Sequence, residues 1–390
     1  MSKPNFVEKL FQDVEVEWKP LGEVAELNRG KTITAKTKTA GDIPVISGGQ
    51  IPAYYNAEFN RDGETITVAG SGAYAGFIMY WNEPIFVSDA FTVKPDLAIL
   101  STRYVFHFLL NNQTGIHNLQ KGSGVPHVYP KDLAQLLIPI PPLPVQKEIV
   151  RILDTFTELT AELTAELTAR KKQYEYYKSE LFSKASEYAE PYRLEELCSV
   201  ITDGSHSSPK SVDTGYYMPS VKDMRSNSFD FENCKQISKA DFYDLVRNGC
   251  KPQKGDVLIA KDGSMLKYAF PVREELDIVI LSSIAILRPR TAIVLPEYLS
   301  HYFRQEGFKE SVIREYSSKG GVPRIVLKNF KKITLYIPSL TEQARIVSIL
   351  DKFDALTSSI TEGLPREIEL RQKQYEYYRN RLLSFPRQEA

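Results

Sequence analysis

Two textures of hydrophobic and polar residues alternate twice along the chain. Residues 14–145 and 190–340 carry short apolar, β-branched runs such as Ile66–Ala69, Ile85–Val87, Val257–Ala260 and Ile278–Leu281, with glycine, proline and polar turn residues between them. Runs of that length, bounded by turn formers, predict strand-rich domains with a few helices. Residues 146–182 and 343–383 contain almost no glycine or proline and follow a helical period instead.

The helical stretches keep one seam. In the first, the series Ile149, Ile152, Phe156, Leu159, Leu163, Leu167, Arg170, Tyr174, Tyr177 and Leu181 advances by 3, 4, 3, 4, 4, 3, 4, 3 and 4. The second series is Ile346, Ile349, Phe353, Leu356, Ile360, Leu364, Ile368, Arg371, Tyr375, Tyr378 and Leu382, with one further step of four. These are heptad seams with four-residue stutters. Each helix could pack on its own globular domain. A single seam held over this length points rather to the two helices packing on each other in a coiled coil. A 37-residue helix is a rod of about 55 Å, and DNA half-sites read on one face lie roughly 34–36 Å apart. The dimensions suit a ruler between two DNA-reading heads, and equally any bipartite scaffold. Thr160–Leu163 and Thr164–Leu167 both read TAEL, and each such unit lengthens a helix by about 6 Å. TAEL is also plain good helix-forming sequence. Gly363-Leu364-Pro365 interrupts the second helix, where a kink or break is expected.

The textures repeat because the chain is a tandem duplication. QYEYY occurs at Gln173–Tyr177 and again at Gln374–Tyr378. Gln146–Asp154 (QKEIVRILD) matches Gln343–Asp351 (QARIVSILD), and Gly124-Val125-Pro126 matches Gly321-Val322-Pro323, both at an offset of 197. Weaker echoes are Tyr104–Leu109 (YVFHFL) with Tyr298–Phe303 (YLSHYF). Phe6–Phe11 (FVEKLF) resembles Tyr177–Phe182, so a short N-terminal piece is expected to join the C-terminal helix in a pseudo-twofold ring. The expected partition is therefore 1–145, a strand-rich domain with a short N-terminal segment; 146–189, a helical spacer; 190–340, a second strand-rich domain; and 341–390, a second spacer. The fold class is α+β.

Composition narrows the function classes. Lys plus Arg number 49 and Asp plus Glu number 49 in 390 residues, which excludes a chain that grips polyanions by bulk charge. Residues 1–145 hold 12 basic and 14 acidic side chains, and residues 190–340 hold 22 and 19, so neither head is strongly basic. A local basic patch would still suffice for nucleic acid. No apolar run approaches the roughly 18–20 residues of a membrane span, and Met1–Leu10 lacks the apolar centre of a signal peptide. Cys198, Cys234 and Cys250 form no CxxC pair, so the expectation is a cytosolic protein without a disulfide framework.

Candidate catalytic motifs fail on their context. Residues 25–32 (AELNRGKT) place Gly30, Lys31 and Thr32 in phosphate-loop order. The flanks lack the helix that such a loop opens, and a nucleotide-binding enzyme built on Lys31 is the rival reading. Gly70–Gly76 (GSGAYAG) precedes a strand-like FIMYW and reads as a turn. His107, His117 and His127 recur every ten residues, a spacing that places no pair on one helical face for a metal. Ser207–Lys210 (SSPK) sits in a turn, and Pro141-Pro142-Leu143 lacks the Asn and the aromatic of an amino-methyltransferase motif. No catalytic residue, metal site or cofactor is assigned to this chain.

What remains is polar loop chemistry that suits DNA. In the first domain the candidates are Arg29, Lys31, Lys36, Lys38, Gln50, Tyr74, Lys121 and His127. In the second they are Ser205, His206, Lys210, Lys222, Arg225, Asn227, Lys261, Lys267, Lys319 and Arg324. Lysines and hydroxyls suit phosphates, whereas Arg, Asn and Gln can read base edges bidentately. Singly, each loop would pass for a solvated turn; their recurrence at matched positions of both copies makes them candidates. A bivalent protein-interaction scaffold without a DNA role is the third reading.

The chain resembles the specificity subunits of type I restriction–modification systems over nearly its whole length. The resemblance is carried by ITDGSHSSPK, LIAKDGS, and above all the domain exits IPIPPLPVQKEIVRILD and LYIPSLTEQARIVSILD. TAEL is similar to the spacer repeat of one subclass. The resemblance implies two target recognition domains that bind the halves of an asymmetric, split site in double-stranded DNA. It implies an antiparallel helix pair that sets the gap and docks two modification subunits. Those partners would bind S-adenosylmethionine and methylate adenines, and restriction–motor subunits using ATP and Mg would join through them. It implies a prokaryotic cytoplasmic location, nucleoid-associated when on DNA, with no membrane partner and no enzyme activity in this chain.

Overall fold

A computed structural model describes residues 10–12, 14–34, 36–37, 39–318, 324–358 and 363–386. In chain order the elements are β1 (Glu17–Pro20), α1 (Leu21–Val24), β2 (Ala25–Arg29), β3 (Ile43–Ile46), β4 (Tyr54–Asn56), β5 (Glu64–Ala69), β6 (Ile78–Asn82), β7 (Phe86–Val87), β8 (Ala90–Pro95), α2 (Thr102–Asn111), α3 (Gln113–His117), α4 (Pro130–Leu133), β9 (Leu137–Ile140) and α5 (Leu143–Ser186). They continue as β10 (Glu190–Arg193), α6 (Leu194–Leu197), β11 (Cys198–Asp203), β12 (Tyr216–Tyr217), β13 (Gln236–Ile237), α7 (Lys239–Arg247), β14 (Val257–Ala260), β15 (Ala269–Pro271), β16 (Ile284–Pro289), α8 (Pro296–Phe303), α9 (Glu306–Tyr316), α10 (Leu327–Phe330), β17 (Thr334–Ile337), α11 (Leu340–Ser358) and α12 (Gly363–Leu383). The chain divides into two compact units, residues 1–163 with 368–390, and residues 164–367. These units cut across the partition expected at 145, 189 and 340, because each holds one strand-rich domain together with parts of both helical stretches.

In the first unit a four-stranded antiparallel sheet runs in the order β2-β8-β5-β6. Alternation along the strands gives each face its own core. Ile66, Val68 and Ile78 join Tyr104, Val105, Phe108 and Leu109 of α2, while Met79 and Trp81 pack against Ile46, Ile85 and Val87. Thr67, on the second face, is buried because its hydroxyl accepts the Trp81 Nε1–H at 3.0 Å. The second unit repeats the arrangement in the order β11-β16-β14-β15. There Val257 and Ile259 face Tyr298, Leu299 and Phe303 of α8, and Leu258 and Ala260 face Phe270, Ile284 and Ile286. A two-stranded ribbon, β1 with β9 or β10 with β17, leads each domain into its long helix. The duplication read from sequence is thus one four-stranded order built twice, with α7 and the β12-β13 pair in the second unit where the first has the sheet β4-β3-β7, and the α+β class holds.

The helical stretches pack in opposite senses within each unit. In the first, Ile149 and Leu153 share a cluster with Leu382 and Leu383, and Phe156 stacks on Tyr378 at 5.4 Å. Ile152 and Tyr375 are half-buried against the same cluster. In the second, Phe182 and Ala185 share a cluster with Ile346 and Leu350, and Tyr174 and Tyr177 lie 5.8 and 6.2 Å from Phe353. Ile349, Leu163 and Leu167 are half-buried. The seam is less continuous than its spacing suggests: Leu159 and Leu356 are each 37% exposed. Ile360 lies outside the described residues. The second helical stretch is two helices, α11 and α12, and Gly363 takes φ +77°, which a side chain rarely adopts. A Cβ there would also lie 2.5 Å from the Ala355 carbonyl. The interruption at Gly363-Leu364-Pro365 is therefore a break.

The N-terminal segment meets the residues just past the C-terminal helix inside the first unit. Phe11 and Phe385 make an edge-to-face contact at 5.0 Å, and Trp18 Nε1 donates to the Pro386 carbonyl at 3.4 Å. Residues 6–9, on which most of the FVEKLF echo falls, lie outside the described residues.

Candidate nucleic-acid interface

In the first unit the polar loops named from sequence are brought together at one end of the sheet. Past β2 the chain stays extended: Gly30 and Lys31 donate their N–H groups to the Ala90 and Val87 carbonyls, both at 2.9 Å. Gly30 is required there, since a Cβ would sit 2.3 Å from the Ser88 carbonyl. Gly48 abuts Ser71, the Gly72 N–H donates to the Pro126 carbonyl at 3.0 Å, and His127 bridges to both Ser71 and Lys121. The loops around Gln50, Tyr74 and Lys121 thus share one surface. Arg29, Lys31, Lys36 and Gln50 are exposed, as is Tyr74. Lys121 pairs with Asp132 at 2.8 Å. His127 lies parallel to Tyr129, their ring centroids 5.9 Å apart. Lys38 lies outside the described residues.

The second unit gathers the equivalent loops. Gly204 is the counterpart of Gly30, its would-be Cβ 2.0 Å from the Ile280 carbonyl. Ile325 donates to the Lys261 carbonyl at 3.0 Å as Val128 does to Gly70 at 3.1 Å, and Asp262 bridges to Arg324 as Ser71 does to His127. His206, Lys210, Lys222, Lys267 and Arg324 are exposed. The loop holding Lys210 is pinned by Lys235, whose Nζ donates to Ser208 Oγ at 2.6 Å and to the Pro209 carbonyl; sequence alone did not single Lys235 out. Ser205 is buried and bonds the Ser207 carbonyl at 2.7 Å. Arg225 is tied to Asp230, and Asn227 accepts from Arg304 at 3.3 Å. Lys261 departs from the expected exposed phosphate contact. It is buried, and its ammonium sits 3.3 Å from Asp203 and 3.1 Å from Asp262, so its charge is neutralised within the loop cluster. Lys319 lies outside the described residues.

The exits into the long helices hold a polar junction, again in two copies. Gln146 is fully buried; its amide donates to the Ile99 and Pro141 carbonyls at 2.6 and 2.8 Å and accepts from the Ser101 N–H at 2.9 Å. Gln343 does the same with Ile293, Pro338 and Leu295 at 2.9, 2.8 and 2.9 Å. Eight residues on, Asp154 meets His107 Nε2 at 2.8 Å and Arg103, and Asp351 meets His301 Nε2 at 2.7 Å. Burial holds both imidazoles below their ordinary range in spite of the carboxylates. Burial pushes the Asp154 carboxyl up, but His107 and Arg103 together bring it below its usual value; the His301 bond does the same for Asp351. The signal for these roles was present in the matched Gln and Asp of QKEIVRILD and QARIVSILD.

The motifs that mimic catalysis have other uses. Residues 25–29 form β2, no helix follows Thr32 among the described residues of that loop, and the Gly30 and Lys31 N–H groups that would cradle a phosphate are bonded to β-strand carbonyls. This corrects the rival reading of a nucleotide site at Lys31. Gly70–Gly76 is the turn between β5 and β6, with Gly72 and Gly76 at positive φ. His117 Nδ1 is bonded to the Ala75 carbonyl at 3.0 Å. No metal-binding group of His, Cys, Asp or Glu occurs among the described residues.

Known proteins share this duplicated frame. The family described as Type I restriction modification DNA specificity domain matches the chain twice, over residues 13–170 and 187–370. The specificity subunit of the Escherichia coli type I restriction enzyme EcoR124I/EcoR124II is 32% identical, with 100% of this chain and 99% of that one covered. A Haemophilus influenzae protein named as a type I restriction enzyme specificity subunit is 34% identical over 97% of this chain and 98% of its own. The crystal structure of an S subunit from M. genitalium superposes with a TM-score of 0.64 at 17% identity, covering 99% of each chain. A chain from a structural study of type I complex assembly and conformational transition superposes at 0.56, with 18% identity and 94% and 97% covered. At such identities the two structures speak for the fold.

Proposed function

Because this chain belongs to the type I restriction–modification DNA specificity family, as a specificity subunit, we propose that each of its two units reads one half of a bipartite, asymmetric DNA site. Its role in the complex is DNA recognition rather than catalysis. The observation that carries the reading is the pair of loop clusters: one backbone frame, built twice, with different side chains at matched positions. Arg29 stands where the other copy has Asp203, Ser71 where it has Asp262, and His127 where it has Arg324. A duplicated frame with altered side chains reads two different short sequences in two related poses.

The helical stretches then set the distance between half-sites and dock two modification subunits. Those subunits bring S-adenosylmethionine and methylate adenines; restriction–motor subunits bring ATP and Mg and join through them. The complex works in the prokaryotic cytoplasm. No helix among the described residues is long and apolar enough to cross a membrane. Methylome sequencing of the host with and without this gene tests the reading. Loss of one bipartite adenine-methylated motif is the expected result, and an unchanged methylome in a host with an active system refutes it. Replacing residues 14–145 with those of a relative should alter one half-site alone. Deleting Thr164–Leu167 should alter the gap alone.

A further inference from the structure

The loop clusters differ most sharply at one position. Strand register makes Arg29 and Asp203 counterparts, each followed by the glycine that lies against the neighbouring backbone. In the second unit that position is an acid, and it neutralises Lys261. In the first it is a cation without a carboxylate partner among the described residues. The Arg29 guanidinium lies 5.9 Å from the centre of the Tyr129 ring, and the Lys131 ammonium also lies 5.9 Å from it. His127 stacks on the same ring with 10° between planes. Arg61, whose guanidinium reaches the Arg29 carbonyl at 3.4 Å, is spent on Thr92 and on the Asn60 carbonyl at 3.3 and 2.7 Å. Two like charges gathered on one half-buried tyrosine repel each other, and an anionic, base-bearing ligand relieves that.

We infer that Arg29 reads a guanine in the half-site taken by the first unit, with Tyr129 as its positioning residue and Lys131 on an adjacent phosphate. The inference rests on the reading of the first unit as a half-site reader. The planar guanidinium fork matches guanine O6 and N7, whereas an ammonium is a point charge suited to phosphate. Cation–π contact with Tyr129 restrains the arginine before binding, so less side-chain freedom is lost on contact. The second unit, with its carboxylate engaged by Lys261, reads no guanine from the matched position.

The test uses the assembled methyltransferase complex with the full chain and duplexes bearing its methylated motif. The half-site of the first unit is identified by exchange of residues 14–145. Each guanine of that half-site is replaced in turn by 7-deazaguanine, which lacks the N7 acceptor. Expected is a loss of wild-type binding of about tenfold at one position. The Arg29→Ala complex should bind the unmodified duplex more weakly and be indifferent to the replacement. Tyr129→Phe should keep the sensitivity and Tyr129→Ala should reduce it. A half-site without guanine, no sensitive guanine, or unchanged sensitivity in Arg29→Ala overturns the inference. If exchanging residues 14–145 changes neither half-site, the half-site reading itself fails, a result distinct from the others.

Discussion

The buried glutamines at the helix exits allow a stability prediction worked from named bonds. Gln146→Leu keeps the side chain about the same size but removes two donors and one acceptor. It strands the carbonyls of Ile99 and Pro141 and the N–H of Ser101. Each stranded buried group costs about 1–3 kcal/mol, so three cost roughly 3–9 kcal/mol if nothing relaxes. The added apolar burial of leucine offsets one or two methylenes' worth at about 0.8 kcal/mol each. The expected net loss is about 1–8 kcal/mol, which reaches the scale of a typical stability of about 5–15 kcal/mol. Gln343→Leu strands Ile293, Pro338 and Leu295 in the same way and should cost the same within about 1 kcal/mol. The two sites share no partner, so the double variant should be additive within about 0.5 kcal/mol. Urea unfolding of the full chain gives the magnitudes. Amide hydrogen exchange over residues 99–101 and 293–295 assigns each loss to its own junction. A loss below about 1 kcal/mol at either site would refute the reasoning, since it would mean that water or neighbours satisfy the three backbone groups.

Other perturbations follow from the same structure. Gly30→Ala and Gly204→Ala each drive a methyl into a backbone carbonyl, at 2.3 and 2.0 Å, and should each cost about 1–3 kcal/mol by thermal denaturation. Burial holds His107 and His301 neutral in the fold, whereas the unfolded chain protonates them below the ordinary value of 6.5. Their contribution is therefore complete above that pH and is lost as pH falls below it; Tm should be level near pH 7–8 and decline toward pH 5, less steeply in His301→Gln. A circular permutant that joins the segment after Pro386 to the one before Phe11 by a short linker, and opens the chain between Ser186 and Glu190, should fold and retain the wild-type methylated motif. Loss of folding in a permutant with several linker lengths would count against the paired ends.

Much of the fold was legible because it rests on periodicity. The strand runs, the seams, the tandem repeat and the break at Gly363 are all local patterns, and local patterns survive in sequence. The compact units were not legible, since α5 gives its start, with Ile149 and Leu153, to one core and its end, with Tyr174 and Phe182, to the other. A seam position says that a residue is apolar, not which partner covers it. Lys261 shows the same gap in the candidate site. In sequence it is a lysine in a glycine–serine loop, like Lys267 six residues on. Only the meeting of residues far apart along the chain, Asp203 with Lys261 and Asp262 with Arg324, decides that one is buried and the other exposed. The glutamine and histidine clamps were visible as recurrences, but apart from Pro141 and Pro338 the backbone groups that the glutamines bond and the carboxylates that the histidines meet lie about 45–50 residues away, where no spacing rule reaches.

Charge bookkeeping on the folded chain sharpens what the zero net charge implies for binding. The first domain is already slightly acidic by count, and part of its positive charge is committed, as Lys121 is to Asp132. In the second, Lys261 and Arg225 are committed to carboxylates, so the small excess of 22 basic over 19 acidic residues overstates what phosphates can meet. Non-specific grip scales with the number of phosphates neutralised, and log K falls with log salt by about 0.9 per phosphate. The isolated chain should therefore bind its site weakly, with a shallow salt slope of about two to four phosphates' worth. The assembled methyltransferase complex should show a distinctly steeper slope, because its partners supply the missing contacts. Fluorescence anisotropy across a salt series measures both. Equal slopes for chain and complex would place the phosphate contacts on this chain after all, and would require that exposed lysines such as Lys31, Lys36, Lys210 and Lys267 carry them.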